Sequence, residues 1–329
     1  NLINNTSISC IFGGIVISLT SLSLNFFTPI NLIVGNIFYV IIAILLFKII
    51  ISEKKIITIL IYLFLITLFA SLIISFDNIN RPDAGLYHLP YIKIIQENKI
   101  ILGLTNIHFR FGTISIIQYL SAIYNNSIMP IEVVSAPVAI LVSSIYMYFL
   151  SFFSNEFKDY KIKILVFFVS IFSIYSFNRF SGFGNDALAH LFFFIFIIEV
   201  FRINFKDINS HEFSFLSLLS VFTFTQKPFM VFILVIPLFI YIKYFLRKFV
   251  IFKDIKLILS ISLLLLWIVK NILISGCIFY PIYSTCFEKL SYTNLSEVKE
   301  VKIASEAWSK DWPNNKEEIE DISSYNKNF

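Results

Sequence analysis

The chain has 329 residues, of which 57% are hydrophobic, 18% are aromatic and 14% are charged, and its formal net charge is +5. Soluble domains carry roughly 25% charged residues, and the mean hydropathy of this chain is +0.82. The composition excludes an ordinary water-soluble protein. We therefore expect an integral membrane protein whose partner is the lipid bilayer, with no nucleic-acid partner.

The apolar residues form long continuous runs. A helix needs about 20 apolar residues to cross a bilayer, whereas the strands of a membrane barrel are shorter and alternate apolar with polar residues. The runs therefore predict an all-α fold, a polytopic transmembrane helix bundle with about nine spans. The predicted spans are residues 8–27, 32–51, 56–75, 130–153, 164–177, 187–203, 213–224, 229–245 and 257–274.

A polar segment, residues 77–112, interrupts the apolar runs after the third predicted span. It holds Asp83, His88, His108 and Arg110. Ionisable groups held at a membrane surface beside a helix bundle are unfavourable unless they have a role. This segment is therefore the first place to look for a functional site.

The outer loop, 76–129, is predicted to contain two short helices. Pro90 suits a first helical turn, and the residues after it give an apolar and a polar side. The stretch 115–124 is apolar but too short to cross, so we expect an in-plane or re-entrant helix there. We divide the chain into a transmembrane domain, 1–276, and a charged outer-face segment, 277–329, and expect both ends to continue in a longer protein.

Lysine and arginine residues collect in alternate loops between the predicted spans. Cytoplasmic loops are enriched in these residues, so the opposite loops face outside: 77–112, 178–186, 225–228 and the segment after residue 275. The polar residues of interest then share the outer face. The basic residues assigned to the cytoplasmic side are Lys48, Lys54, Lys55, Lys158, Lys161, Lys163, Arg202, Lys206, Lys243, Arg247, Lys248, Lys253 and Lys256.

Several short motifs in chain order carry a resemblance to a known superfamily. They are RPDAGLYHLP, GLTNIHFRFG, FGNDALAHLFFF, TQKP and VKNILISGCIFYP. The arrangement of these segments along the chain adds to the resemblance. An early acidic residue lies in a large outer loop, an amphipathic stretch follows it, and a span then leads to a basic inner loop. The chain resembles the GT-C glycosyltransferases, particularly the branch of protein-mannosyltransferase-like and aminoarabinose-transferase-like enzymes. It also resembles an uncharacterised bacterial group of multi-span membrane proteins, over most of 56–281.

The resemblance implies a GT-C-like fold in the bacterial cytoplasmic (inner) membrane. It implies transfer of a sugar from a polyprenyl-phosphate donor to a glycan or lipid acceptor of the cell envelope at the periplasmic face. Asp83 matches the acidic residue that serves such enzymes as catalytic base or metal-linked carboxylate. The superfamily often has paired acids here, whereas Ala84 follows Asp83 in this chain. Asp186 is the candidate second carboxylate and His88 a supporting residue, and the sequence does not support a divalent metal.

Basic residues are needed for the second task of such a transfer, which is to hold the departing phosphate. Arginine can bind phosphate through two parallel hydrogen bonds, and lysine acts as a point charge. The outer-face candidates are Lys227, Lys270, Arg110 and Arg179. Lys270 is the most informative of them because it lies within the last apolar run, where a charge needs a partner or an aqueous cavity.

Each of these residues also has a purely structural interpretation. Asp83 and Asp186 can cap the helices that follow them. Lys227 and Lys270 can extend toward lipid headgroups. Capping does not exclude catalysis, whereas the headgroup alternative alone predicts that loss of the charge changes activity little.

The histidine and cysteine residues favour structural roles on the sequence alone. His88 and His108 can be interfacial hydrogen-bonding residues, and their spacing is not that of a zinc site. Cys277 and Cys286 lie on the predicted outer side, where oxidising conditions allow a disulfide. Cys10 lies within a predicted span and is expected to be packed and inert.

Two other functional classes stay open beside the glycosyltransferase. A polysaccharide polymerase or ligase is also a multi-span protein with lipid-linked substrates, but it would depend on outer-loop arginines. A transporter or flippase for a lipid-linked glycan would have ionisable residues in mid-span and broken helices. The ionisable residues here are predicted to cluster at one face, which favours the transferase.

Overall fold

The computed structural model describes these parts of the chain: residues 2–52, 57–58, 60–65, 67–68, 83–125, 127, 136–154, 157–175, 186–203, 208–245 and 253–310. Within them the regular elements are helices, and an isolated antiparallel bridge pairs Cys277 with Cys286. The predicted all-α fold is confirmed. The α-helices are α1 (Leu2–Asn25), α2 (Leu32–Ser52), α3 (Leu89–Glu97), α4 (Ile116–Tyr124), α5 (Ala136–Ser151), α6 (Tyr160–Tyr175), α7 (Asp186–Arg202), α8 (Ser210–Gln226), α9 (Val235–Ile240), α10 (Ile255–Ser275) and α11 (Leu295–Lys310).

Four helical segments in the described parts are long and apolar enough to cross a membrane, which supports a membrane protein. Within the described residues, helices α5 to α8 have 16 or 17 residues, and α5, α6 and α7 each border residues that are not described. Half of the predicted third span, 56–75, lies outside the described residues, so the predicted number of nine spans stays a prediction. The four segments are Asn4–Asn25, Leu32–Ser52, Pro228–Phe245 and Ile255–Ser275.

The chain forms two compact units. Unit 1 comprises Asn1–Lys99 and Ile114–Leu264, and unit 2 comprises Ile100–Thr113 and Leu265–Phe329. Helix α10 contributes residues to each. The predicted domain division at residue 276 stays a prediction.

Helix α3 in unit 1 has the amphipathic character that its sequence predicts. Pro90 lies in its first turn, where the missing N–H removes no helical hydrogen bond. Ile92 and Ile95 are buried on one side. Lys93 and Glu97 form an exposed ion pair of 3.2 Å on the other. The first helix of the outer loop is therefore confirmed.

Helix α4 is buried over all but its last residue and forms part of the core of unit 1. Ser115 begins the helix, because its side-chain oxygen accepts the N–H of Ile117 at 3.1 Å. Helices α1, α3 and α5 pack against it, and Ser21 of α1 donates a hydrogen bond to the Tyr119 carbonyl at 2.7 Å. The helix predicted over 115–124 is present, and it packs inside the protein.

Helices α7 and α8 pack against each other as antiparallel neighbours. A capping box starts α8: the Asn209 side chain accepts the Glu212 N–H at 2.9 Å, and the Glu212 carboxylate accepts the Asn209 N–H at 3.1 Å. The helix ends at Gln226, before Pro228. The first residue of α7 and the residue after α8 therefore lie at the same end of the pair.

The segment Pro228–Phe245 is a broken helix. It changes from 3-10 geometry (Pro228–Leu234) through α9 to π geometry (Tyr241–Phe245), and Met230 has a non-helical backbone with φ −77° and ψ 17°. Pro237 lies inside it and cannot donate a backbone hydrogen bond, which favours a break in the regular helix. Such breaks in membrane helices occur where neighbouring groups satisfy the freed backbone.

Unit 2 contains a tight turn closed by a disulfide. Gly276 has φ +76°, and a Cβ atom there would lie 1.9 Å from the Thr293 hydroxyl oxygen, so glycine is required. Cys277 and Cys286 form the disulfide, and Cys10 is a free, half-buried cysteine in α1. The predicted pairing of the cysteines is confirmed.

Candidate functional site

Asp83 lies in unit 1 and is exposed immediately before the π-helical turn Ala84–His88. A capping aspartate accepts a backbone N–H from the first turn of its helix. The Asp83 side chain makes no such bond, and its backbone is already helical at φ −62° and ψ −31°. The capping interpretation of Asp83 is therefore wrong in the part of the chain that the structure describes.

His88 ends that turn, and its side chain is buried, with 6% of the residue exposed. The amide nitrogen of Gln118 lies 2.8 Å from His88 Nδ1, and the ring packs on Tyr87 with centroids 4.1 Å apart. Gln118 of helix α4 thus holds the His88 ring in its orientation.

Asp186 and Lys227 form an ion pair in unit 1. Lys227 Nζ lies 2.8 Å from Asp186 Oδ1, and the side chains are 30% and 58% exposed. The carboxylate is at the N-terminal end of α7 and the ammonium follows the C-terminal end of α8, where the helix dipoles favour these charges. Exposed pairs contribute only about 0–1 kcal/mol to stability. The pair is therefore accessible to a ligand, and the fold depends little on it.

Arg110 and Lys270 belong to unit 2. The Arg110 guanidinium lies 5.4 Å from the centroid of the Phe109 ring, and its backbone N–H donates to His108 Nδ1 at 3.2 Å. Arg110 is half-buried. The remaining arginine candidate, Arg179, lies outside the described residues.

Lys270 is fully buried on α10, five residues before the helix ends at Ser275. Its Nζ lies 5.1 Å from the centroid of the Trp267 ring, a cation–π contact. The next residue, Asn271, is also buried and donates to the Ile278 carbonyl at 3.1 Å. A lysine that extends to lipid headgroups keeps its ammonium exposed. The burial of Lys270 therefore contradicts the headgroup interpretation.

A buried acid that was not predicted from the sequence lies at the other end of α7. Glu199 is 1% exposed, accepts a hydrogen bond from the Tyr148 hydroxyl, and lies 3.1 Å from Arg202 Nη2. A single acid in the apolar run FFFIFIIEVF was the available signal. Within the described residues no group of three or more histidine, cysteine, aspartate or glutamate side chains is arranged to hold a metal.

We expect Tyr148→Phe to destabilise the protein by about 1.5–3 kcal/mol, because the change removes a hydrogen bond to a charged, buried carboxylate. Tyr146→Phe is the matched control, since that hydroxyl donates to Ser173 Oγ at 3.0 Å and a neutral bond contributes about 0.5–1.5 kcal/mol. Thermal unfolding in detergent measures both. Equal losses from the two variants would show that Glu199 is not charged.

Comparisons with known proteins bear on the chain as a whole. Neither the curated proteins nor the solved structures contain a significant match to it. A family model described as "Domain of unknown function (DUF8201)" matches residues 2–328. The protein therefore belongs to the DUF8201 family of domains of unknown function.

Proposed function

We propose that the protein is a membrane glycosyltransferase of GT-C type. It transfers a sugar from a polyprenyl-phosphate donor to a cell-envelope acceptor at the periplasmic face of the bacterial inner membrane. The observation that carries the proposal is Asp83: its exposed carboxylate makes no cap to the helical turn that follows it. The nine-span, GT-C-like arrangement is part of the same proposal.

The reaction is a displacement at the anomeric carbon of the sugar. Asp83 takes the proton of an acceptor hydroxyl, whose oxygen forms a bond to that carbon. The bond between the carbon and the phosphate oxygen breaks, and polyprenyl phosphate leaves with the electron pair. The configuration of the anomeric carbon is inverted, and the reaction needs no reactant besides the donor and the acceptor.

Positive side chains stabilise the phosphate as its charge increases. Lys227 is suited to this because its ammonium is accessible and is held at a helix end by Asp186. Lys270 and Arg110, to which the sequence assigned the same task, belong to unit 2, and their part in phosphate binding stays a prediction. His88 is the supporting residue, and its ring is held by the contact of Nδ1 with Gln118.

The outer-face location of the site predicts the result of cysteine labelling. In a Cys10→Ser background, single cysteines at positions 83 and 253 should react with an impermeant maleimide from opposite sides of the membrane, because the basic loops are inside. The native Cys277 and Cys286 are joined in a disulfide and do not react. Same-side labelling of the two positions would refute the topology.

Direct binding tests the donor class. The purified protein in lipid nanodiscs should bind a polyprenyl-phosphate hexose and should discriminate against uncharged polyprenol, since the proposed site recognises the phosphate. Release of labelled hexose to an added acceptor would then establish transfer. Absence of both binding and transfer across a panel of hexoses would contradict the proposal.

A flippase for a lipid-linked glycan is the second candidate function. It is favoured by the broken helix Pro228–Phe245 and by the buried charges of Glu199 and Lys270, which are features of transporters. An assay in proteoliposomes distinguishes a transferase from a flippase. A transferase forms a new glycosidic bond, whereas a flippase moves a fluorescent polyprenyl-phosphate hexose between leaflets and leaves it intact.

A further inference from the structure

The side chain of Gln226 is buried and has no role in the proposed mechanism. It is the last residue of α8 and precedes Lys227 in the TQKP motif. The residue is 2% exposed. Neither its amide nitrogen nor its amide oxygen has a hydrogen-bond partner among the described residues.

Such a side chain is unfavourable in the fold unless something else satisfies it. Buried polar groups are nearly always hydrogen-bonded, and the exceptions point to a water, an ion or a ligand. A primary amide has two N–H donors and one carbonyl acceptor. Hydroxyl groups both donate and accept and so match it at both ends. A phosphate oxygen only accepts and would leave the carbonyl of Gln226 unsatisfied.

The position of Gln226 relates it to the candidate donor site. Its Cα atom is about 3.8 Å from that of Lys227, and the Lys227 ammonium pairs with Asp186 at 2.8 Å. The sugar of the donor is bonded directly to the phosphate. A phosphate held by Lys227 therefore brings the sugar hydroxyl groups to the end of α8.

We infer that Gln226 recognises hydroxyl groups of the transferred sugar and is a specificity-determining residue beside the phosphate-binding Lys227. The inference rests on the proposed transferase function. It separates the recognition of the donor into two parts: Lys227 binds the phosphate that all donors share, and Gln226 distinguishes the sugar.

Gln226→Met tests the inference, because methionine keeps the length of the side chain and removes its donors and acceptor. The probes are polyprenyl phosphates that carry mannose, glucose or galactose, and sugar-free polyprenyl phosphate, with the protein in nanodiscs. We expect the variant to lose the wild-type preference for the favoured hexose form by about tenfold. Its affinity for sugar-free polyprenyl phosphate should be unchanged. Its melting temperature should be equal or higher, since an unsatisfied buried amide is removed.

Gln96→Met is the matched control. Gln96 is also a buried glutamine: its amide nitrogen donates to the Ala122 carbonyl at 3.3 Å, and only its amide oxygen has no hydrogen-bond partner among the described residues. Its replacement should lower the melting temperature and leave the sugar preference intact. Gln226→Asn, which keeps the amide and shortens the side chain, should weaken the preference and supplies a second variant.

The outcomes separate the two proposals. If Gln226→Met folds and keeps the sugar preference, the inference is overturned and the transferase proposal stands. If neither Gln226 variant folds, the amide is structural and the inference is overturned as well. If the wild-type protein binds none of the lipid phosphates, the proposed function fails and the inference fails with it.

Discussion

Replacement of Asp83 by Asn is expected to abolish sugar transfer in a protein that still folds and inserts. The change keeps the size of the side chain and removes the carboxylate that takes the acceptor proton. General-base catalysis contributes about 10²–10⁴-fold to a rate, so the loss should be of at least that order. Stability should change by no more than about 0.5 kcal/mol, because Asp83 is exposed and makes no cap. Labelled-sugar transfer and thermal unfolding measure the two effects.

Glu97→Gln is the matched control for Asp83→Asn. Glu97 is an exposed acid in the neighbouring helix α3, paired with Lys93, and exposed pairs contribute little to stability. Its neutralisation should leave transfer unchanged. If Asp83→Asn retains wild-type turnover, Asp83 is not the base. If it fails to fold, the segment depends on the carboxylate for structure, and the proposal loses the observation that carries it.

Local features of the fold were predictable from the sequence because their signals lie within a few residues. Pro90 in the first turn of α3 and the short apolar stretch 115–124 are short-range signals, and both helices are present. The predicted disulfide between Cys277 and Cys286 joins residues separated by nine positions. In each case the physical cause is contained in the segment itself.

Contacts between distant segments were not predictable in the same way. The pairing of Asp186 with Lys227 depends on how α7 packs against α8. The hydrogen bond from Tyr148 to Glu199 depends on two different helices, although the acid itself was visible in its apolar run. Hydropathy likewise indicates which segments avoid water, but it does not indicate which of them pack against one another.

Burial of the candidate lysines shows the same difference. Both Lys227 and Lys270 had the same headgroup alternative on the sequence alone, since each lies beside apolar residues. Lys227 is partly exposed in an ion pair, whereas Lys270 is fully buried over Trp267. Substitution of the two lysines is therefore expected to affect donor binding unequally. Loss of Lys270 should have the larger effect, because its charge is removed from water.

Lys270→Met is expected to weaken binding of a polyprenyl-phosphate hexose, slow its turnover, or both, by about tenfold or more, equivalent to roughly 1.4 kcal/mol. Methionine keeps the length of the side chain and removes its charge. Burial of an ammonium group carries a desolvation cost of several kcal/mol, which the variant no longer has. The melting temperature should therefore be maintained while donor binding falls. Titration with the phosphorylated lipid and with uncharged polyprenol measures the phosphate preference directly.

Lys256→Met is the matched control, because Lys256 lies on the same helix with its Nζ 5.3 Å from the Phe215 ring centroid, at the opposite end from Lys270. It should leave the preference for the phosphorylated lipid unchanged. If Lys270→Met and Lys227→Met both keep that preference, neither ammonium binds the phosphate. The buried charge of Lys270 and the broken helix Pro228–Phe245 would then favour the flippase, since a charge that does not hold a departing phosphate still requires a function within the membrane.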